Sequence, residues 1–224
     1  MRKLYVPVLA LTLMASAAGQ VEADTITVLG IDSDLFSTAT VVAEFNSQTN
    51  TLTFTATNTS AITTPGSTST ITGFGFDLPP IGNASPSGLN GFTGMQAPSL
   101  SSVFTFSDAD LGNVPHGFNS QVLDFGFLTG SSGNFGSGAV NEGLLPGESA
   151  SFTISGAAFA GFTEAQIANA IYVMFQNVPL AAGSGGTDVG VPSTLVPVPE
   201  PTSLLLLGTG LLTAGVRRWH QTRT

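Results

Sequence analysis

The sequence predicts an all-β protein: an antiparallel β-sandwich, Ig-like or jelly-roll-like, with one short helix. Three observations predict it. Polar and apolar residues alternate with period two in several places, as half-buried strands require. Those runs are bounded by clusters of Gly, Pro, Asn and Ser, which punctuate a chain into strands and turns. All sixteen Phe fall between residues 36 and 175, mostly at strand spacing, and supply a core.

The elements follow in order. Strands are expected near Ile26–Leu29 and Thr40–Phe45, with Asn46-Ser47-Gln48-Thr49-Asn50 as the hairpin loop into a third. That third strand, Thr51-Leu52-Thr53-Phe54-Thr55-Ala56-Thr57, alternates strictly. Ile71–Leu78, Val103–Phe106, Val122–Phe127 and Ser149–Ile154 alternate likewise, and Ile171–Val178 completes the set. Thr163-Glu164-Ala165-Gln166 fits a capping box, with Thr163 as N-cap and Gln166 reaching back, so a helix should run to about Ala170. Gly130 to Gly147 and Ala181 to Pro197 read as long loops, the second as a flexible stalk. The expected organisation is a signal peptide at 1–23, the β-sandwich domain at 24–180, a linker at 181–197 and a C-terminal segment at 198–224.

Charge excludes several function classes. The chain of 224 residues has five Lys and Arg against fourteen Asp and Glu, a net charge of −9. Arg2, Lys3, Arg217, Arg218 and Arg223 are all the basic residues, so the span from Asp24 to Pro197 holds twelve acids and no Lys or Arg. Nucleic-acid binding needs a cationic surface, and this span offers none. Phosphate loops need a Lys beside their glycines, and Gly208-Thr209-Gly210 sits in an apolar run without one. With no cysteine and one histidine in the span, His116, neither thiol chemistry nor a zinc centre is expected.

Hydrolytic chemistry fares little better. Gly147-Glu148-Ser149-Ala150-Ser151 misses the nucleophile elbow, because Ser151 stands where Gly belongs and the segment opens a strand. Paired carboxylates for glycoside hydrolysis exist by number alone. The aromatic platforms that hold sugars are scarce, since the span has no Trp and one Tyr, Tyr172. Calcium is the best-supplied chemistry, because hard carboxylate oxygens suit it. The densest acid pairs are Asp32-Ser33-Asp34 and Asp108-Ala109-Asp110, with Asn113 near the second. Neither completes an EF-hand: the twelfth position counted from Asp108 is Asn119 rather than Glu. The competing reading is solvated loop acids that keep the surface soluble. Asn58-Thr59-Ser60 and Asn83-Ala84-Ser85 fit the glycosylation pattern, as Thr/Ser-rich sequences do by chance.

The two ends carry the most specific signals. Arg2-Lys3, the apolar stretch Leu4 to Ala15 and the small residues after it form a secretory signal peptide, with cleavage expected after Ala17 or, preferably, Ala23. At the other end Pro199-Glu200-Pro201 precedes an uncharged, Leu-rich run from Leu204 to Val216, then Arg217-Arg218. The run suits a single apolar membrane helix at about 203–216. At 1.5 Å per residue it spans about 20 Å, less than a bilayer core of about 30 Å. The double Arg should stay cytoplasmic as a stop-transfer signal.

This tripartite end resembles the PEP-CTERM sorting signal. The resemblance rests on Pro199, Glu200 and Pro201, on the apolar run, and on Arg217 and Arg218. It departs in its short basic cluster, where Trp219-His220-Gln221-Thr222 separates Arg223 from the Arg pair. It implies export through the Sec translocon, trimming by signal peptidase and a transient stay in the inner membrane of a Gram-negative-type bacterium. An exosortase, a membrane-embedded transpeptidase-like enzyme, then removes the tail. Hosts of the family typically make exopolysaccharide. The resulting expectation is a non-catalytic protein of the cell surface or extracellular matrix, without a cofactor and associated with exopolysaccharide or biofilm. The alternative is a calcium-assisted adhesin or glycan-binding module using Asp32, Asp34, Asp108 and Asp110. A carboxylate-based hydrolase is third.

Overall fold

The computed structural model describes residues 22–31, 37–62, 68–79, 92–96, 104–108, 111–115, 118, 121–130, 134–179 and 185–197. The expected signal peptide up to residue 21, the apolar C-terminal run, Asp32, Asp34, Asp110 and His116 lie outside the described residues. Among the described residues no helix is long and apolar enough to cross a membrane.

Among the described residues ten strands form, in chain order β1 (Glu22–Gly30), β2 (Thr38–Asn46), β3 (Thr51–Asn58), β4 (Thr70–Phe76), β5 (Phe92–Gln96), β6 (Phe104–Ser107), β7 (Phe125–Thr129), β8 (Ser149–Gly156), β9 (Ile171–Pro179) and β10 (Gly185–Pro197). Every pairing is antiparallel, in the spatial order β5-β8-β3-β2-β1-β10-β9-β4-β7-β6. This one sheet curls into a half-barrel. Cα atoms of β5 and β6, the two ends of the order, approach within 8 Å.

The curl is what encloses a core. Along β3 the apolar residues Leu52, Phe54 and Ala56 are buried, while the alternating Thr residues face outward. Phe54 stacks on Phe152 of β8 at 4.9 Å and meets the rings of Phe74, Phe76 and Phe127 on β4 and β7 at 5.3–5.9 Å. Aromatic pairs at these separations add attraction beyond the area they bury. On the outer face Thr53, Thr55 and Thr57 pair hydroxyl to hydroxyl with Thr153, Ser151 and Ser149.

The two layers expected of a sandwich are therefore two halves of a single continuous sheet. The join is β10, which lies between β1 and β9. Residues 185–197, expected as part of a flexible linker over 181–197, are thus a paired strand. Gly185, Gly186, Gly190, Pro192 and Pro197 hid the strand, since Gly and Pro ordinarily weaken one. Gly190 and the two prolines have reasons in the tertiary structure. A Cβ on Gly190 would stand 2.6 Å from Val28 Cγ1 and 2.8 Å from the Phe175 ring. β9 accompanies β10 only as far as Gly190, so Pro192 and Pro197 lie where one side of the strand has no partner among the described residues. Ser193 is the extra residue of a bulge against Thr27 and Val28, and its hydroxyl donates to the Thr27 carbonyl at 3.0 Å.

A second, smaller core lies on the outer face of β4, β7 and β9, made by Leu111, Val114, Leu123, Leu128, Phe135, Met174 and Val189. In the segment read as a loop from Gly130 to Gly147, the described residues from 134 onward cover this face and include 3₁₀ turns at Phe135–Ser137 and Val140–Glu142. β4 is consequently buried on both faces. Gly75 permits the close cover, since a Cβ there would stand 2.3 Å from Leu123 Cδ1.

The helix forms as the capping box requires. Thr163 Oγ1 accepts from Gln166 N at 3.3 Å, and Gln166 Oε1 accepts from Thr163 N at 2.9 Å. The helix, α1 (Glu164–Ala168), lies against β1 and β2.

Candidate functional site

Acids in a domain without internal cations need another source of positive potential, and here it is the backbone. Asp188, fully buried on β10, accepts from Ile31 N at 3.0 Å and from its neighbour Val189 N at 2.8 Å. Asp124 accepts from Leu78 N at 2.8 Å, Glu164 from Phe45 N at 3.1 Å, Glu148 from Leu145 N at 2.7 Å and Glu142 from Gly130 N at 3.2 Å. A carboxylate accepting from N–H groups makes a stronger hydrogen bond than a neutral acceptor does. These acids thus pin loops and strand ends, a role that spacing in the sequence does not reveal.

The acid pairs singled out for calcium are not assembled by anything described. Asp108 is exposed just beyond the end of β6, and Asp110, Asp32 and Asp34 lie outside the described residues. Among the described residues no group of three or more His, Cys, Asp or Glu is placed to hold a metal ion.

A hollow lies between the end of β4 and α1. It is a shallow, open depression of about 470 Å³ lined by Asp77, Pro79, Ala165, Gln166, Asn169 and Ala170. Antiparallel pairing brings these together: Phe76 lies opposite Ile171, and Asp77 N donates to the Ala170 carbonyl at 2.9 Å. Asp77 accepts from Gln121 Nε2. Burial raises the Asp77 carboxyl above the usual range, and the Gln121 hydrogen bond offsets part of the rise. Tyr172, edge-on to Phe118 at 5.6 Å, has its phenol raised by burial and then by the charge of Asp77.

Chemically the hollow offers one carboxyl inclined to hold its proton and two amides. General acid–base catalysis needs a second group to receive or supply the proton. Among the described residues no second titratable group lines this hollow. Both amides are committed locally, Gln166 to the cap and Asn169 to the Ala165 carbonyl at 2.9 Å.

The remaining feature is where the sheet stops. Pro197, the last residue of β10, lies opposite Asp24 of β1. Residues 197–218 match the family model described as the PEP-CTERM protein-sorting motif. The chain carries an exosortase sorting signal. Pro199, Glu200, Pro201, Arg217 and Arg218 all fall inside the match. The PEP-CTERM motif marks an exported protein that exosortase recognises and processes at the membrane. It covers the tail and says nothing of the β-domain's activity. No curated protein and no solved structure matches the chain.

Proposed function

We propose that this is a non-catalytic protein of the cell surface or extracellular matrix, in which a Phe-cored half-barrel is the delivered cargo and exopolysaccharide its surroundings. The observation that carries this reading is the continuity of sheet and signal: β10 ends at Pro197, where the PEP-CTERM match begins. Leader removal after Sec export and tail removal by exosortase would leave the β-domain as the product. Its outward Ser and Thr hydroxyls and its excess of acids over Lys and Arg suit a hydrated polymer layer.

Replacing Pro199, Glu200 and Pro201 by alanine in the native host tests the sorting step. The variant should keep its tail and stay with the membrane fraction, and unchanged release defeats the reading. For the matrix role, the released wild-type protein should co-fractionate with exopolysaccharide and appear in the free medium when polymer synthesis is blocked. An unchanged distribution in the polymer-free host would overturn it.

A further inference from the structure

The PEP-CTERM match begins on the last residue of a paired strand, with no spacer between sheet and signal. Asp24, Thr25, Ile26 and Thr27 of β1 lie opposite Pro197, Val196, Leu195 and Thr194 of β10. Pro199 is two residues beyond Pro197, a reach of about 7 Å when fully extended. An enzyme that cuts a chain within or beside a membrane needs the residues around its target extended and free of other backbone partners. A segment laddered to β1 does not meet that need.

The same stretch is the part of β10 best suited to leave. From Gly185 to Gly190 the strand is held by β9, and β1 joins it at Gly190. From Val191 to Pro197 β1 is its only partner strand among the described residues. A bulge at Ser193 and prolines at 192 and 197 mark this stretch. The proline nitrogens carry no hydrogen to donate to a ladder. Strand ends with few backbone bonds open at far lower cost than the body of a sheet.

We infer that residues 191–197 of β10 peel away from β1 before exosortase cuts, and that pairing with β1 gates tail removal. The inference rests on the sorting signal alone, not on the matrix role. The gate opens beyond Gly190, leaving Gly185–Gly190 in place on β9, so the signal gains seven residues of reach while that part of the sheet stays paired.

A disulfide clamp tests this in the native host with the full chain. The protein has no cysteine, so an introduced pair has no competitor. Thr25 and Val196 are Cα partners. Antiparallel partners lie about 4.5–5.5 Å apart, within disulfide range. The double variant Thr25→Cys with Val196→Cys, oxidised during export, should keep its tail and remain in the membrane fraction. Either single variant, or the double variant in reductant, should lose the tail normally. Inserting ten Gly/Ser residues between Pro197 and Val198 should restore tail loss to the clamped chain and accelerate it several-fold in the unclamped one. Tail loss from the oxidised clamp at the wild-type rate overturns the gate. So does an insertion that neither rescues the clamp nor speeds the wild type. The alanine variant at residues 199–201 is the control: if it too is released, the sorting reading has failed rather than the gate.

Discussion

Asn58 donates from Nδ2 to the Leu144 carbonyl at 2.8 Å, across 86 residues of sequence, and to the Ser69 carbonyl at the same distance. Its Oδ1 accepts from Ser60 N at 3.0 Å, and the side chain is fully buried. One amide thus fixes the end of β3, the start of β4 and the cover segment before β8. Asn58→Ala removes three buried hydrogen bonds, although the Leu144 carbonyl still accepts from Ile71 N at 3.0 Å. At about 1 kcal/mol net for each hydrogen bond, the loss should be about 3 kcal/mol. Asn58→Asp should cost at least as much, because a carboxylate accepts but cannot donate. The urea midpoint of each variant measures this. A change below about 0.5 kcal/mol, the scale of an ordinary surface substitution, would show that the amide is not the staple.

Phe54 is the ring on which both halves of the curled sheet converge. Phe54→Ala should destabilise by about 3–5 kcal/mol, the range for a large buried aromatic removed from a packed core. Phe54→Leu fills more of the space and should cost less. Equal, small losses for both would mean that the halves do not share this contact. Chemical denaturation with a common slope separates the two cases.

The strand β10 makes a sharper claim about where the domain ends. Residues 24–197 should fold cooperatively, while residues 24–180 lack the strand that joins β1 to β9 and should not. Circular dichroism and thermal melting of the two fragments decide it. A folded 24–180 fragment would return residues 181–197 to the role of a stalk.

That boundary also shows what the sequence disclosed and what it hid. β3 and the α1 cap were legible because each follows from a local rule: strict alternation for the strand, and Thr163 with Gln166 for the cap. β10 was illegible because its Gly and Pro obey non-local causes, the approach of Val28 and Phe175 at Gly190 and the early departure of β9. Asn58 read as a chance glycosylation match because its partners are remote in sequence. The acids read as a charge surplus, whereas Asp188, Asp124 and Glu164 are spent on backbone N–H groups. At the C-terminus the signal was legible throughout, since its code is a short contiguous motif.

Calcium separates a passive matrix protein from a metal-assisted binder. The proposed function expects the melting midpoint of residues 24–197 to be the same in chelator, in millimolar Ca²⁺ and in Mg²⁺. A ligand at about 100 times its Kd would stabilise by about 2.7 kcal/mol, well within detection. A Ca²⁺-selective rise that disappears when Asp32 and Asp34, or Asp108 and Asp110, become Asn would replace the passive reading with the binder.

The pair Asp77 and Tyr172 gives a test in pH. Burial raises the Asp77 carboxyl, so the folded state favours its protonated form. Stability from that preference is fully present below the ordinary carboxyl value, about 3.9, and is lost as pH rises through the folded-state pKa. Asp77→Asn stays neutral throughout. Relative to wild type, its melting temperature should therefore be higher at about pH 7 than at about pH 4. The introduced amide keeps an oxygen to accept from Gln121, so the comparison isolates the charge. The same substitution should lower the Tyr172 phenol toward its usual value, because the Asp77 charge contributes to its rise. Only Tyr5 and Tyr172 occur in the chain, so in residues 24–197 the phenolate absorbance reports Tyr172 alone. A variant whose melting difference is flat with pH, and whose tyrosine titrates unchanged, would show that the two groups do not sense each other.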